Sequence, residues 1–197
     1  MPPRGARSYA VAVAVPLMRT ERLVLRGWTE GDRRSFAELN ADPEVMEHLP
    51  TRLTPAESDA FADRIERHFE EHGFGLWAVE VPGEFVGYTG LSVPRFHADW
   101  MEGREQPVVE VGWRLRRDAW GLGYATEAAT ACVGHAFEVL GRSEVVSFTA
   151  RGNRRSRAVM ERLGMQPIAE YDHPVDGRVG LPSVCYLLRG PAPVPGA

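Results

Sequence analysis

Residues 108–125 read VVEVGWRLRRDAWGLGYA. Alternation of apolar and polar positions from Val108 to Leu115 predicts a β-strand. Gly121 and Gly123 then open a long helix, whose inward stripe is Ala125, Ala129, Cys132, Val133, Ala136, Phe137 and Leu140. A strand that runs through glycines into a helix start makes an anion site. Glycine lets the backbone turn tightly and approach a ligand closely. The helix start offers unpaired N–H groups and the positive end of the dipole. A pyrophosphate fits that arrangement. It is not a dinucleotide fingerprint, because Thr126 stands where the third glycine belongs.

Outward from this stretch, helices and strands alternate. Arg22 to Gly27 reads as a first strand. Thr29 and Asp32 are expected to cap a helix that carries Phe36 and Leu39 inward, and a short helix is expected after Asp42-Pro43. Thr54-Pro55-Ala56-Glu57 is a capping box with proline at the first helical position; Phe61, Ile65, His68 and Phe69 follow on one face, and Gly73 ends the helix. Phe74 to Val81 and Glu84 to Val93 are strands joined by a Pro82-Gly83 turn. Beyond the long helix come a strand at 144–150, a short helix from Asn153 to Gly164, and strands at 165–171 and 183–189. The order predicts one α/β domain, residues 18–189, built on a mixed sheet of about seven strands with helices on both faces. Residues 1–17 are expected to be a floppy extension or to lie upstream of the true start at Met18. Residues 190–197, with three prolines, are expected to be a disordered tail.

Composition narrows the function. The chain has 197 residues and a net charge of −4, a poor balance for nucleic-acid or anionic-membrane binding. All 23 basic residues are arginine. Without lysine there is no Walker-type phosphate loop, Schiff base or Ser–Lys dyad. The apolar run from Tyr9 to Leu17 is broken by Pro16 and too short to span a bilayer. Two cysteines, Cys132 and Cys185, outside any Cys-x-x-Cys pair, suit a reducing cytoplasm.

Two other motifs are weaker. His68-Phe69-Glu70-Glu71-His72 fits an inverted zinc-protease pattern, but His68 falls on the apolar stripe, His72 suits the helix C-terminus, and no third ligand follows; no metal is expected. Gly90-Leu91-Ser92-Val93-Pro94 is one glycine short of a nucleophile elbow. Arg114, Arg116 and Arg117 precede the glycine turn, and Arg151, Arg154, Arg155 and Arg157 surround the next helix start. They flank the anion site if the strands at 108–115 and 144–150 are neighbours; half or more of them are expected to be solvated surface charge.

The segments Val109-Glu110-Val111-Gly112-Trp113-Arg114-Leu115 and Trp120-Gly121-Leu122-Gly123-Tyr124-Ala125-Thr126-Glu127-Ala128 resemble the acetyl-CoA motif of the GNAT acetyltransferases, most of all the Rim-type branch. Thr20 to Arg26, Gly83 to Gly87, Asn153 to Ser156 and Met160 to Met165 are similar to further segments of that branch, in the same order. Trp120 replaces the Gln or Arg of the general motif, and Met165 replaces Phe. The resemblance implies a GNAT fold with two splayed parallel strands, 108–115 and 144–150. It also implies acetyl-CoA as cosubstrate and an amine as acceptor. The acceptor is open among a protein N-terminus, an amino acid, a polyamine and an antibiotic amine, and a homodimer is one implied assembly.

On this resemblance, backbone groups of Trp113, Arg114 and Leu115 would pair with the pantetheine arm. Arg116, Gly121, Leu122, Gly123, Tyr124, Ala125, Thr126 and Asn153 complete the coenzyme set. Glu110 is the candidate general base, set against a solvated strand residue. Ser156 is the candidate donor to the leaving sulfur, set against a packing or capping serine. Trp28, Phe74, Phe96, His97 and Trp100 are the candidate acceptor lining. The alternative from a different class is a non-catalytic acyl-CoA sensor on the same fold.

Overall fold

The computed structural model describes residues 15–175 and 178–191. One eight-stranded sheet has the order β1-β2-β3-β4-β5-β6-β8-β7. Its strands are β1 (Met18–Arg19), β2 (Val24–Arg26), β3 (Leu76–Val81), β4 (Glu84–Ser92), β5 (Glu110–Leu115), β6 (Glu144–Ala150), β7 (Gln166–Val175) and β8 (Arg178–Arg189). The helices are α1 (Asp32–Ala41), α2 (Pro55–His72), α3 (Tyr124–Glu138) and α4 (Arg154–Arg162). Neighbouring strands pair antiparallel except β5 and β6, which are parallel. The mixed sheet agrees with the sequence reading, with the short β1 as an added edge.

The strongest local signals act as expected. Thr54 and Glu57 complete the capping box of α2, and Gly73 ends it with φ 73°. Gly83, at φ 77°, turns the β3–β4 hairpin. Ala128, Ala129, Cys132 and Ala136 of α3 are fully buried, small enough to bring the helix close to the sheet. Trp77, also fully buried, donates from Nε1 to the Pro16 carbonyl at 2.8 Å.

Several expectations need correction. The N-cap of α1 is Gly31, without a side-chain cap; Asp32 instead accepts from the Thr29 amide at 2.8 Å and from Arg26. No helix follows Asp42-Pro43. The Asp42 carboxylate accepts from the amides of Glu44 and Val45, which fixes a turn, and consecutive turns run on to His48. β7 and β8 are longer than expected and pair from Gln166↔Leu187 to Val175↔Arg178. Pro174 and Pro182 read as breakers, yet β7 is an edge strand and Pro182 lies past the last β6 pair, Ala150↔Ser183. A missing N–H is tolerated at both places. The expected extension and tail lie mostly outside the described residues; Val15 to Leu17 are described, and Val15 packs against the core.

Gly87 in β4 has φ 143°, and a Cβ there would sit 2.2 Å from the Arg114 carbonyl. Gly134 in α3 has no atom within 4 Å of that position. Gly87→Ala is therefore expected to lower stability by about 2 kcal/mol or more, and Gly134→Ala to raise it by roughly 0.5–1 kcal/mol. Urea denaturation of the two variants checks both signs.

Candidate active site

β5 pairs with β4 along its whole length, from Gly87↔Leu115 to Ser92↔Glu110. With β6 it pairs only at Glu110↔Val146, where the Val146 amide donates to the Val109 carbonyl at 2.9 Å. Beyond that bridge the two parallel strands part. Backbone groups alternate sides along a strand, so those of Trp113 and Leu115 face the opening. The Trp120 indole donates to the Leu115 carbonyl at 2.9 Å, which leaves the amide and carbonyl of Trp113 and the amide of Leu115 facing the opening.

The glycine turn stands at the open end. Gly121 and Gly123 have φ 75° and 84°, a conformation that other residues adopt only with strain. Gly123 is the N-cap of α3 and offers no side chain. The first helical bond runs from the Glu127 amide to the Gly123 carbonyl at 3.1 Å. The amides of Tyr124, Ala125 and Thr126 thus precede the first intrahelical bond.

A clamp holds this helix end in place. Glu127 accepts from the Thr20 hydroxyl and the Arg22 amide and forms an ion pair with the Arg22 guanidinium at 2.6 Å. Arg22 also donates to the Leu122 carbonyl at 2.8 Å and lies 4.9 Å from the Tyr124 ring centre. Its partners hold the Glu127 carboxyl below the usual range against the opposing effect of burial.

A cavity of about 1730 Å³ joins the glycine turn to the far side of the sheet. A drug-sized ligand needs roughly 300–1,000 Å³, so there is room for two reactants. Glu110 lies between the two halves, at the vertex where the strands part. Ser92 Oγ donates to Glu110 Oε2 at 3.0 Å. Burial nevertheless pushes the Glu110 carboxyl up to about 7.

The family model described as an acetyltransferase (GNAT) domain matches residues 22–166. The chain belongs to the GNAT acetyltransferase family. It is 33% identical over 175 residues to the FsC-acetyl coenzyme A-N(2)-transacetylase of Aspergillus fumigatus, covering 83% of this chain and 72% of that one. The crystal structure of an acetyltransferase from Agrobacterium tumefaciens superposes with a TM-score of 0.71 at 26% identity, covering 95% of this chain and all of the other. RimL, a ribosomal L7/L12 alpha-N-protein acetyltransferase solved with coenzyme A, has the same fold, with a TM-score of 0.69 at 14% identity over 88% of this chain and 98% of its own.

Within this GNAT domain, Glu110, Ser156, Trp113, Arg114, Leu115, Gly121, Gly123, Tyr124, Ala125, Thr126, Asn153 and Phe96 all line the cavity. Asn153 accepts from the Ser156 amide at 3.1 Å and caps α4. Arg116 does not join them: its amide pairs with the Val86 carbonyl, and its guanidinium with Glu84 and Asp118. Leu122 points outward, 50% exposed. Arg114 contributes its side chain on the α1 side of the sheet, where it donates to Asn40 Oδ1. Arg117 pairs with Glu44, Arg151 with Glu170, and Arg157 with the Tyr186 hydroxyl. Arg154 and Arg155 do reach the cavity, Arg155 lying 4.3 Å from the Trp120 ring centre.

Of the residues expected to line the acceptor side, only Phe96 borders the cavity. Trp28 is a packing residue, donating to the Leu76 carbonyl at 2.7 Å beside Phe36. Phe74 is buried against His68. His97 is exposed beside Glu102. Trp100 lies behind the wall, against Phe148 and Tyr171. The wall itself uses Phe61, Tyr88, Ser92, Phe148 and His173 with Phe96. Both ring nitrogens of His68 are engaged, with the Phe74 carbonyl at 2.8 Å and the Val93 amide at 3.2 Å, so it has no lone pair to offer a metal.

Sequence reading missed the Thr20–Arg22–Glu127 clamp. Its signal was present: an acid in the first turn of a helix expected to receive an anion opposes that anion unless a cation neutralises it.

The Glu110 shift carries a stability signature. A carboxyl whose folded pKa is raised stabilises fully below its unfolded value near 4.5, and loses that contribution as pH rises through about 7. Glu110→Gln is expected to match the native protein in stability at acid pH. Above pH 7 it should be more stable by about 3 kcal/mol. Denaturation series across the pH range check this.

Proposed function

We propose that the protein transfers the acetyl group of acetyl-CoA to a primary amine, by direct attack of the amine on the thioester, with Glu110 as general base. The observation that carries this reading is a carboxyl held near pKa 7 at the vertex of the strand opening, facing a cavity large enough for both reactants.

The free donors fit the coenzyme. The amides at Tyr124, Ala125 and Thr126, approached through Gly121 and Gly123, suit a diphosphate. The backbone at Trp113 suits an extended amide-bearing arm, as an added strand would. Acetyl-CoA supplies the acetyl group as a thioester, and coenzyme A leaves as the free thiol.

Glu110 takes the proton from the acceptor ammonium, through a water, and so releases the lone pair for attack. A base near pKa 7 is about half ionised at neutral pH and still holds a proton well, which suits this task. The Trp113 N–H faces the opening, where charge grows on the thioester oxygen. Ser156, whose amide is fixed by Asn153, supplies a hydroxyl on the cavity wall for the leaving sulfur. The Aspergillus relative's name describes transfer to nitrogen, which favours an amine acceptor.

Release of free thiol from acetyl-CoA in the presence of amines tests the reading. The native protein should show kcat/KM rising with pH to a plateau above about pH 7. Glu110→Gln should lower kcat by roughly 10²–10⁴-fold and flatten the profile, with coenzyme A affinity by calorimetry nearly unchanged. Full activity of the variant at every pH removes Glu110 from the chemistry. Coenzyme binding without thiol release from any amine favours a sensor instead.

A further inference from the structure

Tyr88 and Arg114 are opposite each other on β4 and β5, on the sheet face that also carries Ser92 and Glu110. This face packs on α1 and α2: Arg114 reaches Asn40, and the Tyr88 ring meets Phe36 and Phe61. Arg114 is a cation without an acid. One of its five donors goes to Asn40 Oδ1, and Asn40 in turn donates to Ser58 Oγ at 2.9 Å. Among the described residues no carboxylate pairs with it, and its side chain lines the cavity.

The surroundings sharpen the charge imbalance. The Arg114 guanidinium lies 5.9 Å from the Phe61 ring centre and 5.4 Å from that of Tyr88. Arg64, on the next turn of α2, lies 5.2 Å from the same Phe61 ring and also has no acidic partner among the described residues. Two like charges therefore share one aromatic ring, with no acidic partner for either among the described residues. Tyr88 is 6% exposed, and its hydroxyl has no hydrogen-bond partner among the described residues although the residue lines the cavity. Burial keeps that hydroxyl protonated, and so a donor. Of the other arginines that line the cavity, Arg22 pairs with Glu127 and Arg155 with Glu47, and Arg67, Arg95, Arg154 and Arg162 are exposed to solvent, whereas Arg114 is half-buried.

We propose that Arg114, Arg64 and the Tyr88 hydroxyl form an acceptor subsite for a carboxylate. The amine substrate then carries a carboxylate within about 13 Å of its nitrogen, the span along β5 from Glu110 to Arg114. This rests on the assignment of Glu110 as the base, because that assignment sets where the nitrogen lies.

Two ladders of acceptors, read by thiol release from acetyl-CoA, test the subsite. One is a set of C-terminally amidated peptides with a single Glu at the second, third or fourth position, each against its Gln twin. The other is a set of straight-chain ω-amino acids of increasing length, each against the alkylamine without the carboxylate. In at least one ladder the acid should exceed its neutral twin in kcat/KM by about tenfold or more, as a charge-assisted hydrogen bond commands. The ladder that responds identifies a peptide or a small amino acid as the source of the carboxylate. Arg64→Gln, a surface change on α2, should shrink the acid-to-neutral ratio, and Arg114→Gln should bring it close to one.

Equal rates for every acid and its twin overturn the subsite while leaving the Glu110 chemistry standing. A preference that survives both substitutions overturns it too. Absence of thiol release with any amine overturns the Glu110 reading first, and the subsite with it.

Discussion

The site depends on the single bridge between β5 and β6. A parallel pair that stayed in register would bond the Trp113 backbone to β6 and close the sheet. Here the ladder stops at Glu110↔Val146. Everything beyond is opening, which frees main-chain polar groups in the interior of the molecule. Buried unpaired backbone groups are costly, so such a gap suits an extended ligand that completes the sheet. The vertex sets the position of Glu110, and the open end sets the position of the glycine turn. One interruption of hydrogen bonding thus places both ends of the site.

An opening of this kind needs its rim fixed from outside the missing ladder. Trp120 does part of this, capping the Leu115 carbonyl with its indole and stacking on Arg155 of α4. The clamp at the start of α3 does the rest. Glu127 joins the helix to Thr20 and Arg22 near the first strands, more than a hundred residues away in sequence. Arg22 also cancels the carboxylate that would otherwise repel an anion from the helix start. The cavity therefore has electrostatically distinct regions: the Arg22–Glu127 pair at the glycine turn, a desolvated carboxyl at the vertex, and a half-buried arginine, Arg114, on the α2 side.

The sequence displayed the elements whose signals are local. The alternation in β5, the capping box at Thr54 and the glycines at 121 and 123 each depend on neighbours a few residues apart, and each appears in the structure. The proposed coenzyme half of the site lies mostly on one continuous stretch, and most of the residues expected there border the cavity. The proposed acceptor half was much less legible. Trp28 and Phe74 have the composition of a binding wall but the burial of a core, and only packing distinguishes the two. Phe61, Tyr88, Phe148 and His173 come from four separate elements, and nothing local marks them as neighbours. Arg116 illustrates a further limit: it lies two residues from Arg114 and faces the same way along the chain, but past the end of β5 it turns to Glu84. The β7–β8 hairpin runs longer than expected, and Pro174 is tolerated in it because β7 is an edge strand, a position that local sequence does not reveal.

The Arg22–Glu127 clamp has one more consequence. It is made with guanidinium in a chain that contains no lysine, beside the cavity proposed to take an activated acyl donor. An ammonium at position 22 would be a nucleophile, and capture of an acetyl group would erase its charge and unfasten the helix. Guanidinium keeps its charge across the working range of pH and is a poor acyl acceptor. With arginine at every basic position, the protein presents no side-chain amine to its own reagent, and the fastening that holds the cradle is chemically inert to the cargo.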